Sequence, residues 1–272
     1  MNHSFPRSGF GKLKYAVIGL VAALAVAGPA PPVVLAQGGA LSLSPAVIMA
    51  SGTFGQSLTQ RLTINNSTPD VFTFHMVAED VVVRNGKRVF MPAGELPGSI
   101  AATAVFSPEE IVAPPKSSES VTVTITLPPK TDIRAMVAIF HATNAIRPNK
   151  GSVGLVASIG TLITFNLTSD VKIAPDPLRI TPASATTNLT FSQYLTNTGT
   201  EPALPKGVAA ILNEKGKLVG KAVFPEQRLL PGERLLFRAE YPGSLQAGTY
   251  RVLCTYSYAG QILTRQADFT VQ

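Results

Sequence analysis

From residue 40 onward the sequence almost lacks helical periodicity. Short runs rich in Val, Thr, Ile and Phe recur instead, separated by Gly, Pro, Asn and Asp. Runs of this kind, with apolar residues alternating along them, are typical of the strands of β-sandwiches. The chain is therefore predicted to be all-β, and its 272 residues are enough for two such sandwiches.

A proline-rich segment, TSDVKIAPDPLRITP at 168–182, divides the predicted strands into two groups. We interpret it as a stiff linker between two Ig-like sandwiches in tandem, with domains at 37–168 and 177–272 and the linker at 169–176. The strands predicted for the first domain are 41–50, 57–65, 71–79, 81–90, 100–106, 120–127, 134–143 and 153–167. Those predicted for the second domain are 188–196, 207–212, 217–224, 233–241, 249–258 and 261–271.

The first 36 residues have the pattern of a secretory signal peptide. A basic start is followed by a short apolar run at 15–28 and by small residues before Gln37. The alternative is an uncleaved membrane anchor, but prolines from Pro29 onward cut the apolar run short of the roughly 20 residues that a span requires. We expect an exported protein of the periplasm or the cell surface.

The charge excludes some classes of partner. Three cations and no acidic residue lie in residues 1–36, so the net charge of +7 falls to +4 in the remaining chain. No basic block with interleaved aromatic residues occurs, and nucleic acid is therefore not expected as a partner.

Cys254 is the single cysteine. It alternates with apolar residues on a predicted strand, which indicates a buried thiol rather than a reactive one.

Catalytic and metal-binding motifs are missing from the sequence. His75 and His141 lack neighbours at the spacing of metal ligands, and the adjacent carboxylates Glu109 and Glu110 point apart in an extended segment. No nucleophile elbow or phosphate-binding loop is present. We therefore predict a protein that is not an enzyme and takes no cofactor.

The stretch VFSPEEIVAPPKSSESVTVTITLPP, residues 105–129, places a proline-flanked bridge between two predicted strands. Proline fixes φ and removes a backbone donor, so the bridge is predicted to cross between the two sheets of the first sandwich. The run that follows the bridge alternates in polarity. Its apolar face is predicted to be buried and comprises Val121, Val123, Ile125 and Leu127.

Five segments of the first domain together resemble the N-terminal domain of the PapD-like periplasmic chaperones, which assemble pili. These segments are 41–52, 57–80, 105–129, 133–146 and 154–167. The second domain is similar to a generic exported Ig-like module, in which Tyr250 is expected to form the hydrogen bond of a tyrosine corner.

The resemblance implies a function. Chaperones of this family bind pilin subunits by β-strand addition, which requires an edge strand with alternating apolar residues. Residues 153–167 have this alternation, and the residues implied to bind the partner are Val153, Leu155, Ala157 and Ile159. The partners implied are protein subunits of a pilus or surface structure. The alternative is a structural or adhesive envelope protein that uses its two domains as a rigid spacer.

The sequence departs from the family at one point. Pilus chaperones hold the terminal carboxylate of the pilin with an Arg and a Lys in the cleft between domains. The corresponding positions here are near Val47 and Thr161, and neither is basic. Lys172 and Arg179, which flank the predicted linker, are the candidates for a replacement anchor, although both also fit ordinary solvated charges.

Overall fold

The computed structural model describes residues 40–143, 157–184 and 187–272. The strands before the proline-rich segment are β1 Leu41–Ser44, β2 Val47–Ser51, β3 Ser57–Asn66, β4 Phe72–Arg84, β5 Lys87–Pro92, β6 Val105–Ser107, β7 Glu110–Ala113, β8 Ser117–Thr126, β9 Ala135–Ala142 and β10 Ser158–Asn166. The later strands are β11 Ile173–Pro175, β12 Arg179–Thr181, β13 Leu189–Asn197, β14 Lys206–Asn213, β15 Leu218–Phe224, β16 Arg234–Tyr241, β17 Gly248–Tyr258 and β18 Gln261–Val271.

The strands form two sandwiches in tandem, which confirms the predicted fold class. The first sandwich packs a sheet of order β1-β3-β8-β6 against a sheet of order β2-β10-β9-β4-β5, in which β7 also pairs with β4. The second packs β13, flanked by β11, β12 and β16, against a sheet of order β15-β14-β17-β18. Each sandwich has its own apolar core. No helix in the described ranges is long and apolar enough to cross a membrane.

The proline-flanked bridge does cross between sheets, as predicted. β6 pairs with β8 in one sheet, Pro108 follows, and β7 then pairs with β4 in the other sheet. After Pro114 and Pro115 the chain returns, as β8, to the sheet that contains β6. The bridge thus carries a short strand of its own, and the apolar face of β8 predicted from the sequence is buried in the core.

The proline-rich segment contains two strands that the sequence does not predict. β11 and β12 both pair antiparallel with β13 of the second sandwich. Residues 173–175, which the sequence places in the linker, are therefore part of that sandwich. The alternation is too short in these three-residue strands to be visible as a pattern, and Pro175 is tolerated because β11 lies at the sheet edge.

Two predicted details of the second sandwich are confirmed. The Tyr250 hydroxyl donates to the Gln246 carbonyl at 2.8 Å, which is the hydrogen bond of a tyrosine corner. Cys254 is fully buried on β17, with neighbouring side chains of the same face in the core. Burial raises the pKa of the Cys254 thiol to about 12, because the thiolate would have to lose its hydration.

We predict that Cys254 is inert in the native protein. With its pKa raised to about 12, the thiol stays protonated at pH 8, and its burial blocks access as well. Iodoacetamide at pH 8 should leave the folded protein unlabelled by mass spectrometry and should label it fully in denaturant. Rapid labelling of the native protein would show that β17 opens locally or that Cys254 is exposed.

Candidate functional site

The first component of the candidate site is an unpaired stretch of β10. β9 pairs with β10 from Ser158 to Thr164, whereas β2 pairs only with Leu162 to Asn166. The start of β10 therefore forms a free sheet edge, which no strand covers in the described residues. The structure thus leaves open the part of the strand that lies closest to the predicted partner-binding residues.

The ladder shows which backbone groups face outward from this edge. The N–H of Ala142 in β9 donates to the carbonyl of Ala157, just before β10, and the N–H of Leu162 donates to the carbonyl of Ala46 on the other side. Antiparallel bonds alternate between the two sides, so the N–H and C=O groups of Ser158 and Gly160 point away from β9. These two residues present the hydrogen-bonding groups of the free edge.

Two of the four predicted partner-binding residues can be placed. Ala157 and Ile159 are half-buried and pack against the core of the first sandwich. Val153 and Leu155 lie outside the described residues. The placed pair therefore faces the sandwich interior beside the free edge.

A buried ion pair joins the two sandwiches. Arg134, just before β9, places its Nε 2.9 Å from Oε1 of Glu201 in the second sandwich, with side chains 8% and 0% exposed. The Glu201 carboxylate also accepts from the Leu167 N–H and the Thr168 hydroxyl, each at 2.9 Å. Each charge thus has several partners, as buried charges require.

A second ion pair also joins the two sandwiches. Arg88 of β5 binds both carboxylate oxygens of Glu233, at 2.8 and 3.1 Å, and its Nη2 also donates to the carbonyl of Arg228. The Glu233 side chain is 3% exposed. A bidentate Arg–carboxylate pair fixes orientation as well as distance.

An apolar cluster completes the interface. Leu230 of the second sandwich is buried with Val81, Ala135 and Val137 of the first. Together with the two ion pairs, this packing holds the second sandwich against the outer face of the β4–β9–β10 sheet.

A cleft of about 680 Å³ opens beside this interface. The first sandwich contributes Val47, Leu162 and the β4–β5 turn, and the second contributes residues 227–228 and 233–235. Its cationic residues come from both sandwiches and are Lys87, Arg88, Arg228 and Arg234. Glu233 is the only acidic residue of the lining, so the cleft suits a negatively charged group.

Arg228 stands out among these cations. Arg88 is paired with Glu233, and Arg234 is paired with Asp176. The Nε and Nη1 of Arg228 are buried and lack a hydrogen-bond partner among the described residues. Burial, followed by the charge of Arg88, lowers the pKa of Arg228 below its usual range. If the Arg228 side chain turned toward the cleft, an anionic acceptor there would satisfy these donors.

The positions that the sequence aligned with the missing cation pair lie near this cleft. Val47 lines it, next to its strand partner Leu162. Thr161 is fully buried and donates to the Pro45 carbonyl. The cations of the cleft thus come from β5, from the segment before β16 and from the first residue of β16 rather than from β2 and β10.

The two candidate anchors predicted from the sequence lie elsewhere. Lys172 is exposed and pairs with Asp170 at 2.6 Å, and Arg179 is an exposed residue of β12. Neither is among the residues that line the cleft. Arg228 was missed because a single arginine after a glutamine has no motif around it.

The histidines lie side by side on the outer face of the first sandwich. His75 of β4 is opposite His141 of β9, and His141 Nδ1 is 2.7 Å from the Ser158 hydroxyl. Within the ranges that the structure describes, no three His, Cys, Asp or Glu side chains are arranged to hold a metal ion.

Comparisons with known proteins concern the fold. No protein-family model and no curated sequence matches the chain. The solved class 5 fimbriae chaperone CfaA is 14% identical, with 84% of this chain and 98% of CfaA covered and a TM-score of 0.44.

Two further structures match at similar coverage. One is from the CsuC–CsuE chaperone–tip adhesion subunit complex of Acinetobacter baumannii, at 11% identity, 84% and 97% coverage and a TM-score of 0.42. The other is the E. coli chaperone DraB, at 14% identity, 86% and 98% coverage and a TM-score of 0.38.

We predict that breaking the buried ion pair strongly destabilises the protein. Glu201→Ala leaves Arg134 buried without its carboxylate, a change that costs about 3–5 kcal/mol of unfolding free energy in comparable sites. Urea denaturation monitored by circular dichroism measures the loss. Asp268→Ala is the matched control, because it breaks an exposed pair with Arg251 and should have a far smaller effect. Equal losses in the two variants would contradict a structural role for the buried pair.

Proposed function

We propose that this protein is an exported, non-catalytic chaperone or assembly factor that binds pilin-type or other surface subunits by β-strand addition. The observation that carries the proposal is the free edge of β10, which leads directly to the cationic cleft. Ser158 and Gly160 present unpaired backbone groups, and Leu162, two residues further on, lines the cleft.

The geometry suits a strand that ends at the cleft. A partner strand paired with the free edge would run end to end with β2 along β10, since β2 occupies the edge from Leu162 onward. Strands rise about 3.3 Å per residue, so the end of such a strand lies within about two residues of the cleft. A terminal carboxylate of the partner would then lie beside Arg228, whose unpartnered donors bond it once the side chain turns toward the cleft.

The alternating apolar side chains of this segment would determine which subunits bind. Val153, Leu155, Ala157 and Ile159 remain the proposed partner-binding residues. Lys172 and Arg179 remain the alternative anchor, and Arg228 is the candidate that the cleft adds.

We expect Ser158→Pro to weaken binding of a pilin-type subunit from the same organism by at least about tenfold. Proline removes an outward N–H of the free edge and leaves the β9 ladder intact. Isothermal titration calorimetry measures the affinity. Ser158→Ala is the control, because it removes only the hydroxyl that contacts His141.

Ile159→Asp should also abolish binding, with Val223→Asp on the exposed face of β15 as its control. Unchanged affinity in both Ser158→Pro and Ile159→Asp, with folding intact, would rule out strand addition at β10.

The anchor is tested with a synthetic peptide of the subunit's last strand, made with either a free or an amidated C-terminus. The free acid should bind the wild type more tightly, by about tenfold, because a charged hydrogen bond forms in the cleft. Arg228→Gln should remove this difference, whereas Lys172→Gln and Arg179→Gln should keep it. If Lys172→Gln or Arg179→Gln removes the affinity difference and Arg228→Gln keeps it, the anchor is Lys172 or Arg179. If the wild type binds the free acid and the amide with equal affinity, a carboxylate anchor is excluded.

The second candidate function is a rigid spacer in the cell envelope. It is favoured by the two ion pairs and the apolar cluster that fix one sandwich against the other. A spacer needs neither a free edge nor an unpaired cation. The Ser158 and Arg228 variants therefore separate the two candidates.

A further inference from the structure

The edges of the sheets differ in how well they are protected against pairing with another chain. Six edge strands have only three to five residues each, namely β1, β2, β6, β7, β11 and β12. β5 and β16 carry several charged residues, and β15 contains Gly220 and Lys221. Short length and charge are ordinary protections of an edge strand.

β18 is the longest edge strand, and its charges protect it less than those of the shorter edges. It has 11 residues without proline or glycine, and it pairs only with β17 in the described part of the chain. Its two charged residues are Arg265 and Asp268. Asp268 is bound by Arg251 of β17 at 2.7 Å, so one of the two charges is already compensated within the sheet.

The hairpin turn determines which groups of β18 face outward. Ala259 and Gly260, both with positive φ, connect Tyr258 directly to Gln261. A two-residue turn is closed by a hydrogen-bonded pair, so the odd-numbered residues of β18 bond to β17. The even-numbered residues from Ile262 to Thr270 therefore direct their N–H and C=O groups to the open edge.

We propose that β18 is a dimerisation edge whose occupant is β18 of a second copy of this chain, paired antiparallel about a two-fold axis at Gln266. This register is the one that pairs all 11 residues of the strand. It forms about ten backbone hydrogen bonds, two for each outward-facing residue.

The side chains are self-complementary in this register. Leu263 meets Phe269 of the second copy, Arg265 meets Ala267, and Asp268 meets Thr264. No like charges lie opposite each other, whereas a shift of the axis to Arg265 or Asp268 would oppose two identical charges. Ile262, 74% exposed in the single chain, gains a neighbour in Thr270 of the second copy.

The low charge of the edge also favours a second copy over a strongly charged partner. Arg265 is the one uncompensated charge on β18. A strongly acidic or basic partner strand would therefore gain little electrostatic stabilisation from pairing with β18. The continuous sheet formed by two copies would have eight strands, since each contributes β15, β14, β17 and β18. The free edge of β10 takes no part in it.

Sedimentation velocity over a range of protein concentrations tests the proposal. The wild type should be dimeric, and Gln266→Lys should be monomeric because it places two cations opposite each other on the axis. Gln266→Glu should be monomeric for the same reason. A mixture of the two variants should recover the dimer, because opposite charges then face each other, whereas Gln266→Ala should dimerise like the wild type.

Two results would overturn the proposal. One is a wild type that stays monomeric to about millimolar concentration, and the other is dimerisation of both charged variants at wild-type strength. Because Gln266 is exposed on an edge, the charged variants should keep the circular dichroism spectrum of the wild type. A dimer abolished by Ser158→Pro instead would place the contact at β10.

Discussion

The buried ion pair between Arg134 and Glu201 is the interaction on which the rest of the architecture depends. Burying two charges is costly unless each is paired and hydrogen-bonded, and here the carboxylate has three donors. These donors come from Arg134 and from residues 167–168, which directly follow β10, so the second sandwich is tied to the strand that carries the free edge. A different orientation of the sandwiches would separate Arg134 from Glu201 and remove this ion pair.

The fixed orientation of the two sandwiches also forms the cleft. The second pair, Arg88 with Glu233, and the packing of Leu230 hold the segment before β16 over the turn between β4 and β5. That arrangement brings Arg228 beside Val47 and leaves two of its donors unsatisfied. The free edge of β10 and the cleft are therefore two parts of one surface, and their alignment follows from the interface.

The fold was predictable because its signals are local. Alternating polarity located most strands, and prolines marked the bridge between sheets. The site was only partly predictable. Arg134 and Glu201 are 67 residues apart, and Arg88 and Glu233 are 145 apart, so no spacing in the sequence links them. β11 was missed because three residues are too few to show a period.

Hydrogen exchange at single residues of β10 tests the central claim most directly. In the free protein, the amides of Ser158 and Gly160 should exchange rapidly, while that of Ile159, bonded to β9, should be protected. On addition of a pilin-type subunit, the two outward amides should become protected as well. If Ser158 and Gly160 are already as protected as Ile159 in the free protein, the edge is covered and strand addition at β10 is contradicted.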